Sequence, residues 1–152
     1  MKKQILTLLF IPLMYNFSYS QEVEIIDDKV LVENKAILRY EKSNFFNHSF
    51  FSLGSDEEEV IFYSYNQNET PSYSADDYFA INFLFEKIKV ESKNIRKVTT
   101  GLGMNSRKNM EKLLIWLLKE KVLNIDGTIN NEKVKIFQDK YNENITNRTI
   151  RN

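Results

Sequence analysis

The sequence predicts an α+β domain, with one antiparallel sheet of four to six strands over residues 22–93 and two C-terminal helices packed on one face. Three observations carry this prediction. Residues 22–93 break into short alternating runs divided by Asp- and Asn-rich turns. Beyond about residue 107 the apolar residues recur every three or four positions, which is the helical period. Strands come first and helices last, without the alternation that builds a parallel sheet.

The chain opens on a different kind of segment. Lys2-Lys3 precede an apolar run from Ile5 to Met14, and Ser18 and Ser20 stand at −3 and −1 of a cut before Gln21. This basic, apolar and small-residue order is that of a cleaved secretory signal peptide, here residues 1–20. The run is shorter than the roughly 20 residues of a membrane span and is interrupted by Pro12. The chain has no cysteine, so no lipid can be attached at the cut. The expected product is exported, periplasmic or extracellular, soluble and not lipid-anchored, a single domain over 21–152. Thiol catalysis and thiolate metal sites are excluded. The 152-residue chain balances 21 basic against 21 acidic residues, and losing Lys2 and Lys3 leaves a slight acidic excess. Nucleic-acid binders carry a basic excess or stripe, so that class is not expected. No later segment is long and apolar enough to span a membrane.

In the mature chain, Val23 and Ile25 alternate with charges up to a turn at Asp27-Asp28. Val30 and Val32 follow, then a turn at Glu33-Asn34-Lys35 and a strand from Ala36 to Tyr40. Phe50–Leu53 and Val60–Tyr65 form strands around Gly54-Ser55-Asp56. Glu57-Glu58-Glu59 read as a solvated strand entry rather than a cation site. Val60–Tyr65 is apolar on both parities, as a central strand is. Residues 66–75 form a polar loop.

Residues 77–91 leave two readings open. Phe79, Ile81, Phe83 and Phe85 alternate as a strand, but the parity switches beyond Phe85, so a single strand needs a bulge near Glu86. A helix with Ile81, Leu84, Phe85 and Ile88 on one face is the rival. The Phe and β-branched content favours the strand.

After a Gly101/Gly103 linker, Met110, Leu113, Leu114, Leu117 and Leu118 define a buried helix ended by Asn124 and Asp126-Gly127. A second helix starts at an Asn130 cap, stapled by Ile129 and Val134, with Val134, Phe137, Tyr141 and Ile145 inward. The tail from Thr146 should fray.

Candidate chemistry is sparse. Asn124–Ile129 has the look of a calcium loop, but the required end positions fall on Val122 and Lys133, so a tight turn is expected. Gly101-Leu102-Gly103 lacks the third glycine of a dinucleotide fingerprint. No cofactor or metal is implied. The single histidine, His48, reads as a surface-loop residue; with Asp76 or Asp77 it is the basis for a small exported hydrolase using carboxylates, the alternative function, while Asp27-Asp28 and Asp76-Asp77 read first as turn residues. Tyr63, Tyr65, Tyr73 and Tyr78 cluster around the 66–77 loop, and tyrosines rimming a loop can stack on a glycan or contact a protein. Of these, Tyr63, Tyr65 and Tyr73 are the expected ligand- or partner-binding residues of a non-enzymatic binding or interaction module, the leading function. A helix face around Ile115 and Trp116 offers a third role, as a subunit of a cell-envelope assembly.

The leader Met1–Ser20, the aromatic strand Asp77-Tyr78-Phe79-Ala80-Ile81-Asn82-Phe83, and the ending Val122-Leu123-Asn124-Ile125-Asp126-Gly127 with Phe137-Gln138-Asp139-Lys140-Tyr141 carry one resemblance. The layout resembles small exported proteins of Bacteroidota-type bacteria. That resemblance implies export across a bacterial inner membrane and brings no activity with it.

Overall fold

The computed structural model of the protein describes residues 22–55, 58–67, 75–100 and 107–148. Residues 1–20, Tyr73 and the Gly101/Gly103 linker lie outside them. Seven strands form one antiparallel meander in chain order: β1 (Val23–Ile26), β2 (Lys29–Val32), β3 (Lys35–Lys42), β4 (Asn47–Ser52), β5 (Glu59–Asn66), β6 (Tyr78–Phe83) and β7 (Ile88–Ser92). Two helices, α1 (Arg107–Lys119) and α2 (Asn131–Tyr141), follow, with a short α3 (Ile145–Arg148). Among the described residues no helix is long and apolar enough to cross a membrane.

The first two hairpins turn where the sequence predicts. Asp27 and Asp28 have φ of 46° and 59°, and Glu33 and Asn34 have 49° and 65°. Two consecutive left-handed residues are the mark of a type I′ turn, whose twist matches that of the flanking strands.

The strand count exceeds the expected four to six because residues 77–91 are neither one bulged strand nor a helix. β6 ends at Phe83, the chain reverses through Leu84–Lys87, and β7 returns beside it, pairing Phe83 with Ile88. Lys87 takes φ 52° and its N–H donates to the Leu84 carbonyl (3.4 Å). The parity switch near Glu86 is a reversal of the chain.

One parity of every strand faces the core. Ile25, Val30, Leu38, Phe50, Ile61, Tyr63, Phe79, Ile81, Phe83 and Val90 are buried together with Met110, Leu113, Leu114 and Leu117 of α1 and with Val134 and Phe137 of α2. Trp116 links the layers, with its ring against Phe79, Phe137 and Tyr141.

The α1 terminus departs from expectation. α1 stops at Lys119, before the Asn124–Gly127 segment. Lys121 takes φ 59°, its N–H donates to Leu118 O, and Val122 N–H donates to Leu117 O. This is a Schellman motif with lysine in the position glycine prefers, and Val122 and Leu117 are both fully buried. The α2 start is as expected, since Asn130 Oδ1 caps the Lys133 N–H at 3.1 Å.

Both sheet edges are covered from the far end of the sequence. Ile25 N–H on β1 donates to Glu111 Oε1 of α1 (3.1 Å). On β7, Glu91 N–H donates to Asn142 Oδ1 and Glu143 N–H donates to the Glu91 carbonyl. Thr146, where fraying was expected, instead donates to the buried Glu91 carboxylate from its N–H and its hydroxyl.

Candidate functional site

The functional candidate emerges from two defects in the ladder. Between β2 and β3, Val30 pairs with Leu38 and Leu31 with Ala36, so Ile37 is an extra residue. Between β4 and β5, Phe50 pairs with Ile61 and Phe51 with Glu59, so Val60 is extra. A bulge re-aims the side chain it inserts. Ile37 and Val60 are both buried, and both line the same cleft at the end of the sheet where β4 turns into β5 and β6 into β7.

The opposite wall is the α1–α2 loop. Leu123 bridges Ile129, and Asn124 N–H donates to the Thr128 carbonyl. Asp126 Oδ1 accepts from Thr128 N–H (3.0 Å) and from its hydroxyl (2.6 Å). These Thr128 bonds, the hydroxyl's first, hold the Asp126 carboxyl below the usual carboxylate range. Gly127 has φ +88°, and a Cβ there would sit 2.2 Å from the Ile37 carbonyl oxygen. The loop is thus pressed onto the β3 bulge at a distance only glycine allows.

The resulting cavity is about 470 Å³, within the range of small-ligand sites, roughly 300–1,000 Å³. Ile37, Val60 and Ile129 give it an apolar lining, Leu53 and Phe85 are 50% and 59% exposed, and three carboxylates, Glu58, Glu86 and Asp126, line it, with no basic side chain among the described residues. Glu86 Oε2 is buried and has no hydrogen-bond partner. Glu58 and Phe85 also border a shallow second depression with Ser55, Glu59 and Leu84, and Glu59 Oε1 is likewise buried without a partner. The Glu57-Glu58-Glu59 stretch, read as a solvated strand entry, therefore contributes Glu58 and Glu59 to this surface; Glu57 lies outside the described residues.

The residues singled out from sequence lie elsewhere. Tyr63 and Tyr65 are 1% and 4% exposed and belong to the core, so they form no surface patch; Tyr73 is outside the described residues. Tyr63 lies near the His48 and Phe79 rings, and the Tyr65 hydroxyl donates to Asp77. Burial raises the Tyr65 hydroxyl's pKa first, and the Asp77 bond raises it further.

His48 is not in a surface loop. It sits in β4, two residues before Phe50 on the core-facing parity, and is fully buried. Its Nδ1 meets the Tyr40 hydroxyl at 2.8 Å and its Nε2 has no partner. Neither nitrogen bonds a carboxylate, so His48 and Asp77 form two separate pairs, His48 with Tyr40 and Asp77 with Tyr65. Burial first, and Lys42 second, push the imidazole down to about 4. A base needs hydrogen-bond reach to its proton and its orienting carboxylate, and among the described residues no carboxylate bonds this histidine. Trp116 is buried and Ile115 is packed against the core, so α1 presents no free apolar face there.

The chain matches no protein-family model, no curated protein and no solved structure. The carboxylates of the cleft carried no motif that sequence reasoning could detect. The available signals were the Glu57-Glu58-Glu59 run, the Asp126-Gly127 turn and the apolar pair Leu84-Phe85, which proves to be exposed at a chain reversal.

Proposed function

We propose that this protein is a small exported binding module without catalytic activity, and that it takes its ligand in the cleft walled by the two bulged strands and the Asp126-Gly127-Thr128 loop. Export rests on the leader Lys2–Ser20 and on the resemblance to exported bacterial proteins. The observation that carries the binding role is the cleft: two bulges and a glycine-dependent loop converge on one concave surface. Sites held by rigid backbone lose little conformational freedom on binding.

The test is a titration of the ¹⁵N-labelled full chain with a panel of neutral oligosaccharides and a panel of short peptides. Binding in the cleft shifts the amides of Gly54, Phe85 and Gly127 and leaves the Asp27-Asp28 hairpin unmoved. If no compound of either panel moves the cleft amides, the reading is wrong.

A further inference from the structure

We infer that the cleft and the adjoining depression bind an extended peptide segment of a partner protein in which an apolar residue lies between two basic ones. This rests on the reading of the cleft as a binding site and names its ligand.

Three observations lead to it. The first is continuity: the two depressions share Glu58 and Phe85, so the concave surface runs across the exposed ring. A surface with a hollow on each side of a ring suits an elongated ligand more than a compact one. The second is charge. Glu58, Glu86 and Asp126 line the cleft and Glu58 and Glu59 the depression, and among the described residues no lysine or arginine lines either. The third is unmet hydrogen bonding. Glu86 Oε2 and Glu59 Oε1 are both buried and both lack a partner. Both residues keep part of their surface in solvent, so an arriving ammonium or guanidinium meets each carboxylate from its open side and pairs with it in a charge-assisted bond.

The geometry then assigns the parts. One basic side chain of the peptide reaches Glu86, with Asp126 and Glu58 nearby. The next residue lays its apolar side chain over Phe85, beside Leu53 and Leu84, which are 50% and 40% exposed. The second basic residue reaches Glu59. A neutral oligosaccharide would use the ring and the hydroxyls of Ser52 and Thr128, but it would bring no cation to the unpaired carboxylate oxygens.

The probe is a capped Lys-Phe-Lys tripeptide titrated into the full chain. Its comparators are the same peptide with norleucine for both lysines, Glu-Phe-Glu, and a neutral oligosaccharide. The lysine peptide should shift the Phe85 and Gly127 amides, bind at least tenfold tighter than the norleucine peptide and weaken with salt. Glu-Phe-Glu should not bind. Glu59→Gln with Glu86→Gln should weaken the lysine peptide at least tenfold, and Glu132→Gln on α2 should leave it unchanged. Equal binding of lysine and norleucine peptides to the unmutated chain overturns the inference without any variant having to fold. Cleft shifts from the oligosaccharide alone would overturn it while leaving the binding-module reading intact; shifts from none of the compounds would overturn both.

Discussion

His48 shows how one residue can govern the behaviour of the molecule with pH. The imidazole is buried against Tyr40 and Tyr63, and its folded pKa is about 4 against an ordinary 6.5. Above about pH 6.5 it is neutral in both the folded and the unfolded chain. As pH falls from there towards 4, the unfolded chain takes up a proton that the folded chain refuses, so stability drops. The loss is complete just below pH 4 and is on the order of 3 kcal/mol. Urea melts between pH 7 and 4 should show this slope, and His48→Phe should flatten it. Nothing local to His48 announced its burial. The hydroxyl that satisfies Nδ1 belongs to Tyr40, eight residues away, and arrives there only through the β3–β4 pairing.

Gly127 is the second residue of consequence. At Gly127→Ala the added methyl would meet the Ile37 carbonyl, and the left-handed backbone would be strained as well. A destabilisation of about 3 kcal/mol or more is expected by thermal or urea unfolding. The Asp126-Gly127 turn was legible as a turn. That it walls a cleft was not, because the surface it meets is created by a bulge.

At the scale of elements, the legible turns were those whose residues favour turning. Asp27-Asp28 and Glu33-Asn34 supply side chains that tolerate positive φ. The β6–β7 reversal uses Leu84-Phe85-Glu86-Lys87, with no Gly, Pro, Asn or Asp, and so was hidden. The same reasoning predicts gains. Asn34→Gly suits the second position of a type I′ turn, and Lys121→Gly suits the end of the Schellman motif. Each should raise stability by about 0.5–1 kcal/mol, read as a higher urea midpoint with unchanged slope. The two bulges lay beyond this kind of reading, because register is a property of a strand pair. They are also what shapes the candidate site, which explains why the fold was more legible than the cleft.

For the whole molecule, the alternation of the strands and the helical period of residues 110–118 and 130–141 gave one antiparallel sheet followed by two helices, but not the seventh strand. The covering of the edges was not visible, since it joins residues far apart. An open strand edge invites pairing with another chain. Glu111 closes β1 by accepting the Ile25 N–H and is itself held by Lys108 at 2.7 Å. Glu111→Ala should therefore lower stability by about 1–3 kcal/mol. It should also produce dimers or aggregates by size-exclusion chromatography with light scattering. Glu111→Gln, which keeps an acceptor oxygen, should remain monomeric to a greater degree.

The edge covers also set a clock for folding. The bond closing β1 spans 86 residues, and those tying Glu91 to Asn142 and Thr146 span 51 and 55. During synthesis, all seven strands emerge before anything that seals them. Until Asn142 has followed, the nascent sheet lacks the cover for its last strand, and premature assembly gains little. Contacts of long sequence separation slow folding, so the two sheet edges should close after the local hairpins between consecutive strands have formed.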